Sequence, residues 1–147
     1  MPPAYLFHPI AVHFAVALLV TGGLFKALAV WRKNQTADSV SLWLLRAASP
    51  LALVTAALGF LAARTAPHVP AAWETMYDHK IWGLSTAGTA LILWIVEEMA
   101  HRQRKVWQVW LARALWLAVV ALVFATADAG GDLVFQYGVG VAAAPHL

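Results

Sequence analysis

Apolar residues gather into four runs separated by short polar breaks. The first covers about residues 9–31, "PIAVHFAVALLVTGGLFKALAVW", and stops at "RKNQTADS". The second spans about 40–64 and holds Pro50, whose missing backbone donor predicts a kink. The third starts at Pro70, a residue suited to a first helical turn, and runs to Glu98. The fourth covers about 106–126 and is followed by "DAGGDLVFQYGVGVAAAPHL". A run of roughly 20 helical residues crosses a bilayer core about 30 Å thick. The pattern therefore predicts an all-α fold: a single transmembrane four-helix bundle over residues 1–147, with a glycine-rich cap over 127–147.

Composition makes lipid the solvent. Of 147 residues, 62% are hydrophobic and only 12% charged, too few to clothe a water-soluble domain. The net charge of +3 does not argue for nucleic acid, because the ten Lys and Arg are scattered or sit in short clusters at segment ends. With no cysteine, disulfides, thiolate-bound clusters and covalent haem attachment are excluded, so any metal chemistry runs on His, carboxylate or carbonyl ligands. "MPPAYLFHP" lacks the basic region of a signal peptide, and the first run is read as a retained helix.

Charge also predicts orientation. Arg32 and Lys33 follow the first run, and Arg102, Arg104 and Lys105 follow the third, whereas the middle connection balances Arg64 and Lys80 with Glu74 and Asp78. Basic loops stay inside, so both termini are expected on the outer, periplasmic side of a bacterial inner membrane. Trp31, Trp43, Trp94, Trp107 and Trp110 then mark the inner interface, and Tyr5, Phe7, Trp73, Tyr77 and Tyr137 the outer one. "HPI" at His8 and "HKI" at His79 each open a run that ends in basic residues. That echo suggests two similar hairpins, against the plainer reading of unrelated helices with ordinary ends.

On this topology the remaining polar residues collect at the outer end: His8, His13, Arg64, His68, Asp78, His79, Asp128 and Asp132. His68 and His146 read as ordinary loop and tail residues, and His101 as a solvated residue of the inner basic loop. His13 lies about one turn inside an apolar run, where an imidazole without a partner costs about 1 to 3 kcal/mol. It is a ligand or a satisfied core histidine. His8 precedes Pro9, which disfavours helical geometry for it. Counted from the tryptophans, His79 lies fifteen positions from Trp94 and His13 eighteen from Trp31, so these two are expected to be level; counted from the basic clusters, His79 is level with His8. The tryptophan count is preferred, because basic side chains snorkel. Facing histidines from separate helices suit a bis-imidazole haem, with its propionates near Arg64 and "GLSTAGTA" leaving room for a flat ring or for close helix packing.

"HPIAVHFAVALL", a later histidine opening the third helix, and "GGDLVFQYGVGV" after the fourth together resemble a family of bacterial and archaeal membrane proteins, domain of unknown function family 2231. The matching positions are His8, Pro9, His13, Phe14, His79, Gly130, Gly131, Gly138 and Gly140; Ala15 departs where a proline often follows the motif's Phe. The resemblance covers essentially the whole chain. It implies a four-helix membrane domain, and the fusion of some members to Rieske or cytochrome c modules implies work near an electron-transfer chain. The tail is expected to turn tightly at Gly130 and Gly131 and fold over the outer mouth.

The leading expectation is a small cytochrome-like redox subunit holding haem b through His13 and His79, with His8, Asp128 and Asp132 around it, and exchanging electrons with a redox partner. A copper or zinc site on His8, His13 and His79, with Asp128 or Asp132 as a fourth ligand, is the alternative. A structural or assembly subunit is the third. A stand-alone enzyme is disfavoured: there is no Ser-His-Asp order and no phosphate-cradling loop, and Glu97 and Glu98 have Arg102 or Arg113 to pair with. The bilayer is the expected partner, with homo-oligomerisation left open.

Overall fold

The computed structural model of the chain describes residues 4–66 and 68–140. Its main elements are four helices: α1, Phe7–Arg32; α2, Gln35–Thr65; α3, Trp73–Gln103; and α4, Val106–Phe135. Short 3-10 turns, Ala4–Leu6 and Pro70–Ala72, lead into α1 and α3. α1, α2 and α4 are long and apolar enough to cross a membrane. α3 is as long as α2, at 31 residues. It falls short on composition because Asp78, His79 and Lys80 open it, Glu97 and Glu98 close it, and small polar residues fill its middle.

Each helix outruns its apolar stretch. α2 begins at Gln35 because Asn34 caps it, its side chain accepting the backbone N–H of Ala37 at 3.0 Å. Pro50 sits inside α2 without ending it. α1 runs through Pro9: the first N–H groups of a helix have no intrahelical acceptor, so a proline in the first turn forfeits no bond. His8 is accordingly helical, against the expectation that Pro9 displaces it. Gly130 and Gly131 also lie within α4, and the expected tight turn comes later, where Gly138 and Gly140 take φ of +65° and +76°. There the amide of Val139 donates to the Leu133 carbonyl at 2.8 Å, closing the helix end. Val139 lies with His68, Val69 and Trp73 around a small pocket of about 50 Å³ at the α2–α3 connection. The last part of the expected cap, 141–147 with His146, lies outside the described residues.

Two hairpins make the bundle. α1 packs chiefly on α2 and α3 on α4; the hairpins then meet along α2–α3 and more sparingly along α1–α4. Both hairpins turn in two residues, Lys33–Asn34 and Arg104–Lys105, and both turns begin with a left-handed non-glycine residue, Lys33 at φ 51° and Arg104 at φ 53°. Arg104 follows Lys33 by 71 residues, the same interval that separates His79 from His8. The echo of "HPI" and "HKI" is thus a repeat of the whole hairpin. Leu19, Leu45, Leu93 and Val119, one from each helix, are essentially inaccessible at the centre. Trp116 of α4 lies against Gly22 of α1, where an added Cβ would meet its ring at 2.8 Å. Small residues buy this close approach, the usual device of helices packing in lipid. The N-terminus of α1, the α2–α3 connection and the C-terminus of α4 share one end, the histidine end; the two tight turns form the other, the basic end.

Candidate two-histidine site

At the histidine end, one imidazole comes from each hairpin. His8 Nδ1 lies 3.0 Å from the Thr55 carbonyl on α2, and His79 Nδ1 lies 3.0 Å from the Thr126 carbonyl on α4. Both bonds span 47 residues, and Thr126 follows Thr55 by 71. Each threonine turns its hydroxyl back along its own helix, Thr55 donating to the Leu51 carbonyl and Thr126 to the Leu122 carbonyl. One turn beyond each threonine stands a glycine. A Cβ on Gly59 would meet His8 Cε1 at 3.0 Å, and one on Gly130 would meet His79 Cε1 at 3.0 Å. Each half of the site is therefore a histidine, a threonine carbonyl and a glycine that clears space for the ring.

The two rings meet across the bundle with centroids 6.1 Å apart and planes at 79°. A carbonyl only accepts, so Nδ1 carries the hydrogen in each ring; in the neutral imidazole Nε2 then holds a free lone pair. This is the arrangement of a ligating histidine whose other nitrogen is fixed by an outer partner. Both rings line a cavity of about 70 Å³, whose walls are otherwise apolar or small, including Ala15, Ala52, Gly83 and Ala87. The two halves match in the histidine, the threonine and the glycine and differ in the walls, where Gly83, Ala87 and Val123 take the places of Val12, Val16 and Ala52. Thr86 stands where α1 has Ala15, and its hydroxyl lies 3.0 Å from that of Thr126.

The sequence-based pairing of His13 with His79 is not the one found. His13 is exposed on the outside of α1, and its Nδ1 is bonded to the Pro9 carbonyl of its own helix at 2.6 Å. It is satisfied locally and does not line the cavity. The two histidines of α1 are five residues apart, and at about 100° per residue only one of them can face inward. The repeat selects His8, as the count from the basic clusters had it; Trp94 misleads because Arg102, not Trp94, stands at the position equivalent to Trp31. Arg64, Asp78 and Asp128 are exposed, and Asp132 accepts from Gln136 of its own helix. Neither carboxylate of α4 hydrogen-bonds to a histidine, and no group of three metal-ligating side chains is assembled among the described residues. Thr55, Thr126 and Gly59 went unnoticed in the sequence. The signal was there, since all three partners recur at the 71-residue interval.

A second polar cluster, also unforeseen, lies toward the basic end. Glu97 is 2% exposed and accepts from Lys26 Nζ at 2.7 Å and from Trp116 Nε1 at 2.8 Å. Lys26, also buried, reaches Asp38 at 2.6 Å as well. Glu97 follows Lys26 by 71 residues, so equivalent positions of the two hairpins carry opposite charges and pair where the hairpins meet. Glu98 is held by Arg46 at 2.7 Å. The partners expected for these glutamates, Arg102 and Arg113, are therefore replaced by Lys26 and Arg46. His101 is not merely solvated: its ring lies 3.5 Å from Asp38 and 3.9 Å from Glu97.

Comparison with protein families matches residues 5–143 to the model described as "Predicted membrane protein (DUF2231)". No curated protein and no solved structure matches the chain.

Proposed function

The chain belongs to the DUF2231 family of predicted membrane proteins, and we propose that it is a small redox subunit that holds haem b between His8 and His79 and exchanges electrons with a partner. In this reading all four helices span a bacterial inner membrane with the histidine end outside; α3 is carried across by the polar pairs it makes within the bundle. The observation that carries the reading is the pair of imidazoles, each fixed through Nδ1, at a centroid separation of 6.1 Å.

The donor set fits the group. His8 and His79 would hold the haem iron through Nε2, the nitrogen that each Nδ1 bond leaves free. One histidine from each hairpin would serve as its ligand. Bound haem would supply one-electron chemistry, with its potential set by the ligands, their hydrogen bonds and the surrounding apolarity. The protein's own part is to orient two rings and keep water from them. Thr55 and Thr126 select the tautomer, Gly59 and Gly130 admit the rings, and the apolar walls disfavour extra charge.

A bare-metal reading is kept by the cavity's size. About 70 Å³ takes an ion with small ligands and lies below the range of cofactor-sized pockets. Two imidazoles with an open position suit copper better than zinc, which seeks four ligands. An absorption spectrum with metal analysis on protein expressed with ample haem separates the readings. A Soret band with iron in proportion to protein supports haem, copper without a Soret band supports the bare ion, and neither one sinks both.

A further inference from the structure

We propose that the basic end of α1 and α4 seats anionic phospholipid headgroups, with Arg32 and Arg113 each as a phosphate-binding residue. The proposal does not depend on what the histidines hold.

Three arginines lie over tryptophan rings toward this end. Arg32 stacks on Trp31 at 4.4 Å, Arg46 on Trp43 at 4.6 Å and Arg113 on Trp110 at 4.9 Å. A guanidinium stacked by its face keeps its N–H donors along its edge, where their fork matches a phosphate. The edge of Arg46 is already occupied, since Nε and Nη2 donate to the two oxygens of Glu98 at 2.7 and 3.2 Å. Arg32 and Arg113 form no ion pair with a carboxylate among the described residues. Two oriented forks are thus free, and the third is closed by the protein itself.

The two free arginines belong to neighbouring helices, because Gly22 and Gly23 of α1 lie against Trp116 and Val120 of α4. Their stacking partners are turned outward, Trp31 at 74% and Trp110 at 63% exposed, with Trp107 beside them at 56%. Indoles settle at the headgroup level of a bilayer, so the anion presented to these guanidinium edges is a lipid phosphate. Lys33, Arg102, Arg104 and Lys105 on the adjoining turns add positive charge, which an anionic headgroup complements and a zwitterionic one does not.

The full-length chain in mild detergent, offered phosphatidylglycerol and phosphatidylcholine together, tests this by native mass spectrometry of retained lipid. Phosphatidylglycerol is expected to be retained severalfold over phosphatidylcholine. Arg32→Gln and Arg113→Gln each reduce that preference and the double variant removes it, whereas Arg46→Gln leaves it intact; Arg113→Lys, which keeps charge without the fork, keeps only part. Equal retention of the two lipids by the unaltered protein overturns the proposal, and that comparison needs no variant to fold. An Arg46→Gln loss as large as that of Arg113→Gln overturns it too, as does thermal protection by inorganic phosphate equal to that by phosphatidylglycerol.

Discussion

His8 and His79 stand edge to face, 6.1 Å apart, each tied by Nδ1 to a carbonyl 47 residues further along the chain. Each ring is oriented by that bond, and the glycine beside its Cε1 leaves it room. The pair is therefore fixed in orientation, and its proposed role as a cofactor site is open to direct experiment.

His8→Ala and His79→Ala should each abolish the cofactor signal, haem absorption or bound copper, while His13→Ala leaves it unchanged. The three variants differ only in which face of a helix loses an imidazole, so absorption and metal content measured side by side decide the pairing. Loss with His13→Ala and retention with His8→Ala would reverse the assignment.

Gly59→Ala and Gly130→Ala should behave alike. Each places a Cβ at 3.0 Å from a histidine ring, which must shift off its Nδ1 bond or clash, and overpacking of this kind costs about 1 to 3 kcal/mol. The expected result is a lower melting temperature with an altered absorption spectrum or reduced metal content. Gly88, where an added Cβ meets nothing within 4 Å, serves as the control, and its alanine variant should melt at or above the native temperature.

Lys26→Met should destabilise by about 3 to 5 kcal/mol, the cost of leaving a buried charge without its partner. Adding Glu97→Gln should recover at least half of that loss, since the amide oxygen still accepts from Trp116 and the stranded charge is gone. Thermal unfolding of the two single variants and the double variant closes the cycle. Strict additivity would mean that Lys26 and Glu97 do not interact.

Lys33→Gly and Arg104→Gly should be neutral or stabilising, by up to about 1 kcal/mol. Both residues occupy the left-handed region, at φ 51° and 53°, where a Cβ is strained and glycine is not. A loss of stability larger than about 1 kcal/mol on thermal unfolding would mean that these side chains make contacts that outweigh the strain.

Much of the fold was legible. Four helices, their order, the short basic turns and the gathering of histidines at one end all follow from runs of apolar residues and the polar breaks between them. These are one-dimensional properties. Helix ends were less so: Gln35 starts α2 because Asn34 caps it, and α4 continues past Gly130 because Leu133 packs beyond it, 5% exposed. Intrinsic propensity disfavours both glycines, and tertiary contact overrides it.

By itself, the sequence determined that this chain builds its helices in lipid; it offered the echo of "HPI" and "HKI", and the structure made of it one hairpin repeated at 71 residues. Tertiary structure alone decided which side of each helix faces in, and so which histidine meets His79 and which charge meets Glu97. The reason is rotational. α1 is apolar around its whole circumference, with Phe14 and Leu24 exposed and Leu19 buried, so no amphipathic stripe announces the inward face. Only packing selects it, through the Thr55 carbonyl and the space at Gly59 on α2 and through the slot at Gly22 that Trp116 of α4 fills.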